Sequence, residues 1–376
     1  MFASVPVTRR DFIAIAAMAA VPLLADAEPP LSDQSPKQLA YSRAKAAWDA
    51  FIRVYWAPRP KLFFKDGLRR LKVLDFWLTA HAWECVMDAH ELFKTAETAK
   101  LVDDVYAGFC ARERDWKKNP FNDDLMWWVM ACMRAYRQTS KKIYLDRAQS
   151  TYDRVAENEI DGTLGGGMWW KSDEHKSKNA CVNCPAIIGA CELYQATRQR
   201  KYLDQAKAVY QWVCEKLFDP ATGAVWDSMN LGGKVWKATF TYNQGTFIRS
   251  GMLLDKLCQL PEAADRSRKT INFLLGTLSP GGVMKGEGQG DGGAFKQIAI
   301  RALAEWIAEP SNQGKPSTRK IFDALSQNAE AAWENQSEGP LFGPDWHRAG
   351  MPPRRIECET DATAVSLLLT VARLHP

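Results

Sequence analysis

From residue 40 onward, apolar residues recur every three or four positions, the spacing of one face of an α-helix. AYSRAKAAWDAFIRVYW (40–56) sets Ala47, Phe51 and Tyr55 one turn apart and predicts an amphipathic helix. FWLTAHAWECVMDAHELF (76–93) is apolar around most of its circumference, the pattern of a helix enclosed by others. No stretch alternates polar and apolar residues for long before a hairpin dipeptide, so an all-α chain is expected.

An internal repeat organises these helices. AYRQTSKKIYLDRAQSTYDRV (135–155) aligns with LYQATRQRKYLDQAKAVYQWV (193–213) at a constant offset of 58. Tyr136, Thr139, Tyr144, Leu145, Asp146, Ala148, Tyr152 and Val155 recur as Tyr194, Thr197, Tyr202, Leu203, Asp204, Ala206, Tyr210 and Val213. Each copy reads as a helix end, a short turn and a second helix, an αα-hairpin that stacks on its neighbours. About twelve helices in six hairpins are predicted from this spacing, compatible with a closed ring or an open solenoid.

Polar segments open the first helix of each unit: FNDDLMWW (121–128), KNACVNCPA (178–186), TYNQGTFIRS (241–250) and GQGDGGAFKQ (288–297). Loops rich in Gly and Trp alternate with them: GTLGGGMWW (162–170), ATGAVWDSM (221–229), LSPGGVMKG (278–286) and LFGPDW (341–346). In a closed ring both sets converge on one mouth. That mouth gathers Asn122, Asp123, Asp124, Trp127, Trp128, Trp169, Trp170, Asp227, Asn243, Gln244, Asp291, Asp345 and Trp346. Carboxylates, amides and flat aromatic rings suit a carbohydrate cleft, since indole faces stack on sugar rings. GTLGGGMWW lacks the GxGxxG form and the preceding strand of a dinucleotide site, and no Walker loop is present. The five histidines share no metal-ligand spacing and the mouth segments hold none, so no metal site and no cofactor is read.

Composition alters this picture in three places. With 46% hydrophobic and 25% charged residues the chain is globular, and its fifteen tryptophans, an unusual number, suit both core packing and stacking on flat ligands such as sugar rings. The net charge of +5 is dispersed without a basic, aromatic-rich run, which argues against nucleic acid; a monomer is expected. VPVTRRDFIAIAAMAAVPLLADA carries Arg9-Arg10, an apolar run and Ala25-Asp26-Ala27, a removable export signal of twin-arginine type over residues 1–27. The twin-arginine export machinery is then a partner, and the mature chain, 28–376, is a single domain ending in the periplasm or outside. Nine cysteines cannot all pair, and most lie in apolar helical text. Cys181 and Cys184 have C-x-x-C spacing with no second half to complete a zinc site, and are read as structural.

DDLMWW, GGGMWW followed by KNACVNCPAIIGACELY, TYNQG, GDGGAFKQIAIR and FGPDW occur in one order over about residues 40–370. Together they resemble glycoside hydrolase family 76, enzymes acting on α-1,6-linked mannose backbones. The resemblance implies an (α/α)6 toroid with an exposed cleft and a retaining endo-α-1,6-mannanase reaction on a mannan-type polysaccharide. Cys184 departs from the pattern, where a smaller residue such as Gly is expected. By resemblance Asp123 is the nucleophile and Asp124 the general acid/base, an order the residues alone leave open. Asn122, Trp127, Trp128, Trp169, Trp170, Asp227, Asn243, Gln244 and Asp291 are the expected substrate contacts, with one of the consecutive Trp127 and Trp128 facing the cleft.

Physical chemistry supports placing two acids side by side at a helix start. Free N–H groups and the helix dipole stabilise one carboxylate there, and its charge keeps a proton on the neighbour. The competing reading is that Asn122 and Asp123 only cap the helix. Two other functions share the architecture: a transglycosylase or glycan-binding protein of the cell envelope, and a sugar epimerase. Epimerase chemistry leans on histidine, which the mouth segments lack.

Overall fold

The structure is a computed structural model describing residues 35–67, 70–348 and 350–375. The export signal expected over residues 1–27 lies outside the described residues. Twelve α-helices follow in order. The first six are α1 (Pro36–Tyr55), α2 (Phe76–Phe93), α3 (Ala96–Arg112), α4 (Asn122–Thr139), α5 (Lys142–Glu159) and α6 (Ala180–Thr197). The second six are α7 (Arg200–Lys216), α8 (Thr241–Cys258), α9 (Pro261–Thr277), α10 (Asp291–Ala308), α11 (Pro316–Glu334) and α12 (Cys358–Leu374).

The even-numbered helices pack one against the next, α2 to α12, and α12 returns to α2, so the ring is closed rather than an open solenoid. The odd-numbered helices form an outer layer, with α1 covering α12 across the chain ends. Burial follows this division. Every residue of α12 from Cys358 to Ala372 is buried, as is α8 from Thr241 to Leu254. Outer α7 buries only the stripe of Tyr202, Leu203, Ala206, Val209, Tyr210, Trp212 and Val213. The all-round apolar text of 76–93 and the one-sided text of the outer helices therefore report two different environments. At Gly245 a Cβ would lie 2.6 Å from the Ala299 backbone, so α8 and α10 meet as closely as they do because that position has no side chain.

The repeat is a turn as well as a pattern. Ser140 and Arg198, equivalent under the offset, both adopt the left-handed conformation (φ 57° and 60°) and return their N–H to Tyr136 and Tyr194 carbonyls. Lys94 and Gln259 close α2 and α8 in the same way.

Five short strands depart from the purely helical expectation: β1 (Trp56–Ala57), β2 (Leu62–Phe63), β3 (Ser177–Asn179), β4 (Ser228–Asn230) and β5 (Val235–Trp236). The last three form one antiparallel sheet, ordered β3-β4-β5, from loops at the mouth. At two or three residues each, they are too short to leave an alternating pattern in the sequence.

The two ends of the ring differ in charge chemistry. At the C-terminal ends of the inner helices lies a polar concavity of about 380 Å³ whose guanidiniums are matched by carboxylates. Arg134 donates to Asp88 at 2.5 Å, Arg301 to Asp88 at 2.8 Å, and Arg249 to Glu192 and Glu305 at 2.6 Å each. Burial would raise the pKa of Glu91, yet Arg134 and Arg373 hold it at about 2. Cations there also suit the negative ends of the helix dipoles. Glu91, so firmly ionised, is a poor proton donor. All nine cysteines are free.

Candidate active site

Asp123 and Asp124 occupy the first turn of α4 at that N-terminal end. The N-cap is Phe121, whose side chain makes no capping hydrogen bond. Asn122 is instead buried, donating from Nδ2 to Glu159 Oε2 at 3.1 Å and to the Trp169 carbonyl at 3.0 Å. Asn122 bolts the helix start to the 159–170 segment, and Asp123 and Asp124 follow it in the first turn.

Both carboxyls are raised above the ordinary carboxylate range, Asp124 further than Asp123, and the neighbours explain the difference. Burial lifts Asp123 most. The Trp170 indole, the Cys181 thiol and the backbone N–H groups of Asp123 and Asp124 pull it back down. The pull from Trp170 is partial, since neither Trp170 Nε1 nor Asp123 Oδ1 closes a hydrogen bond of full geometry. Burial also lifts Asp124, and the charges of Asp123, Asp291 and Asp75 push the same way. The Asn119 amide, donating to Oδ2 at 2.7 Å, opposes them. One acid thus sits among donors and the other among carboxylates, which separates their titrations and makes Asp123 the readier to ionise.

Aromatic rings lie below the pair. Trp127, four residues after Asp123 and so on the same helical face, stands 6.1 Å from Trp77 and 6.3 Å from Tyr242 between ring centroids. Phe295 packs 4.6 Å from Tyr242, and Trp77 donates from Nε1 to Asp291 Oδ1 at 3.1 Å. Asp227 Oδ1 accepts the Tyr242 hydroxyl at 2.7 Å; burial raises the Asp227 pKa, and Tyr242 and Ser228 moderate it. Asp291 is exposed at the start of α10, and Trp170 is half-buried against Phe121.

Several expected contacts turn out to serve the scaffold. Trp128 has no exposed surface: it stacks 3.8 Å from Phe109 and donates to the Phe76 carbonyl. Consecutive helical residues point about 100° apart, so with Trp127 inward Trp128 faces the outer layer. Trp169 is likewise buried, stacked on His175 with the Lys178 ammonium 4.5 Å over its ring. Asn243 and Gln244 are fully buried, and their amides hold the Val225 segment: Gln244 accepts the Val225 N–H at 2.8 Å and donates to its carbonyl at 3.0 Å. Asp345 is bound to His347, and Trp346 is buried beneath the Lys296 ammonium.

The structure also brings in residues to which the sequence reading gave no place in the site. Asn119, Trp77, Tyr242 and Cys181 belong to the site by the contacts above. His175 Nε2 lies 3.0 Å from Glu159 Oε2, the carboxylate that also receives Asn122, so a histidine does stand at the mouth. Glu287 takes the Thr241 backbone N–H at 3.0 Å and ties the start of α8 to the loop before α10. Among the described residues, no group of three His, Cys, Asp or Glu side chains is placed to hold a metal ion.

Paired carboxyls of unequal acidity, set over aromatic rings at one end of a helical ring, are the equipment of a glycoside hydrolase. Comparison with known proteins gives the branch. The chain belongs to glycosyl hydrolase family 76, which it matches over residues 40–370. The GH76A alpha-1,6-mannanase from Salegentibacter sp. HEL1_6 is similar with a TM-score of 0.83 and 28% identity, covering 89% of this chain and 99% of that one. An inactive variant of that protein, with two consecutive aspartates replaced by asparagine, is known in complex with alpha-1,6-mannotriose. The mannan endo-1,6-alpha-mannosidase DCW1 of Saccharomyces cerevisiae is 24% identical over 308 residues, 73% of this chain. That match spans 66% of the yeast protein, just under two thirds of its length.

Proposed function

We propose that the chain cleaves α-1,6-mannosidic bonds within a mannan-type polysaccharide by double displacement with retention of configuration. The observation that carries this reading is the placement of two adjacent carboxyls in the first turn of α4, Asp123 beside the Trp170 indole and the Cys181 thiol and Asp124 held by the Asn119 amide. Asp123, the more readily ionised, attacks the anomeric carbon while Asp124 gives its proton to the departing glycosidic oxygen. Asp124, now a carboxylate, then takes a proton from water, whose oxygen displaces Asp123 from the sugar. Trp170 and Asp291, which keep exposed surface, are the proposed direct sugar contacts, the ring through its face and the carboxylate through hydroxyl hydrogen bonds, with Trp127 and Asp227 buried behind them as support. The consecutive aspartates exchanged in the inactive Salegentibacter variant support the assignment.

The reading includes export through the twin-arginine route with loss of residues 1–27, which rests on Arg9-Arg10 and the apolar run after them. Among the described residues, no helix is long and apolar enough to cross a membrane. The test incubates the protein with linear α-1,6-mannan and follows reducing ends and product sizes, with Asp123→Asn and Asp124→Asn alongside. Oligosaccharides from the wild type and at least a thousandfold less from each variant are expected (general acid–base catalysis alone supplies roughly 10²–10⁴). Unchanged cleavage by either variant would remove that residue from the mechanism.

A further inference from the structure

Of the fifteen tryptophans, Trp236 alone is exposed, at 58%. It lies on β5, paired with Ser228 of β4, and its carbonyl accepts the Asp227 N–H at 3.2 Å. The turn between these strands is held by its own hydrogen bonds, Gly233 N–H to the Asn230 carbonyl and Lys234 N–H to Asn230 Oδ1. The hairpin is fastened to the ring at its base through Asp227 and Tyr242. A large indole is thus presented to water on a braced support.

A lone exposed apolar residue is ordinary; this one continues a line of rings. Its centroid is 6.0 Å from that of half-buried Phe240. Phe240 stacks at 6.0 Å and 12° on Tyr242, and Tyr242 stands 6.3 Å from Trp127. Three ring-to-ring steps therefore run from Trp236 to the aromatic floor below the Asp pair.

We propose that Trp236 is the platform of an outer subsite, stacking on a distal sugar of the polysaccharide chain whose scissile bond lies at Asp123 and Asp124. This rests on the glycan-cleaving reading above and adds a length preference to it. The indole offers a rigid apolar face to the C–H face of a pyranose, a contact that needs no charge on the glycan. A polymer reaches both the floor and Trp236, whereas a short oligosaccharide fills only the inner positions. Trp236 touches no reacting atom, so its contribution is to binding.

The test compares wild type, Trp236→Ala and Trp236→Tyr with linear α-1,6-mannan and with α-1,6-mannotriose. KM and kcat are measured for both substrates, and equilibrium binding of both is measured in the Asp124→Asn background. For Trp236→Ala, polymer KM and Kd rise about tenfold with kcat unchanged, while mannotriose binding stays the same and Trp236→Tyr recovers most of the loss. The subsite is refuted if the polymer binds Trp236→Ala as tightly as its parent, or if mannotriose binding falls by the same factor. Failure of wild type to cleave either substrate contradicts the parent reading instead, and the polymer-binding ratio still decides the subsite.

Discussion

Asn119 and Asp124 are joined by a 2.7 Å hydrogen bond from amide Nδ2 to carboxyl Oδ2, and the same Asn119 accepts the Phe121 backbone N–H at 2.9 Å. The amide is therefore held at both ends and aims the acid. It also favours the charged form of Asp124 against burial and three carboxylates. Asn119→Ala removes a pKa-lowering contact, so Asp124 keeps its proton to still higher pH. The alkaline limb of the pH–rate profile moves upward, and kcat falls about tenfold from lost orientation. A steady-state profile with soluble α-1,6-mannan measures both.

The same raised pKa values carry a stability consequence. A carboxyl whose folded pKa exceeds its unfolded value binds protons more tightly when folded, so its penalty starts as pH rises past the ordinary carboxylate range. The penalty is complete once pH exceeds the folded value. Asp124→Asn is thus more stable than wild type at pH 8 by about 1 kcal/mol, or ~2 °C in Tm. The difference shrinks as pH falls toward 4. Thermal unfolding at both ends of that window checks the sign.

Asn122 is a brace rather than a reactant. Asn122→Ala leaves the Trp169 carbonyl and one partner site on Glu159 without their donor, inside a buried segment. A loss of about 2 kcal/mol is expected, together with a fall in kcat as the start of α4 loosens. Urea unfolding alongside initial rates measures the two together.

At the far end of the ring, Arg134→Met takes from Asp88 and Glu91 one of the two guanidiniums that neutralise each, leaving them Arg301 and Arg373. Breaking a buried pair from one side costs about 3 kcal/mol. The pH–rate profile of the folded enzyme keeps its shape, because the Asp pair sits at the opposite end. A displaced profile would mean that the two ends communicate.

The helical ring was legible because a closed double layer writes two hydrophobic patterns, all-round for α2 and one-sided for α7. The turn at Ser140 and Arg198 was legible because the chain states it twice. The Asp pair stood out as like charges beside Trp127 and Trp128, but their spacing could not say which tryptophan faces inward. Phe109 on α3 decides that by stacking on Trp128. Asn243 and Gln244 were misjudged because an amide that binds a sugar and one that satisfies a buried loop look identical in sequence. Val225 lies 18 residues before Asn243, and only folding shows that its backbone needs those amides. His175 was given no role, like the other histidines, because its partner Glu159 lies 16 residues earlier, across the glycine loop.

The most direct measurement of the central claim is a proton NMR time course of linear α-1,6-mannan cleavage, recorded before the new reducing ends mutarotate. Asp123 acting as nucleophile beside Asp124 as acid predicts α-configured reducing ends first, and no product with Asp123→Asn. Reducing ends that appear first as the β-anomer would contradict the double displacement and the role of Asp123 in it.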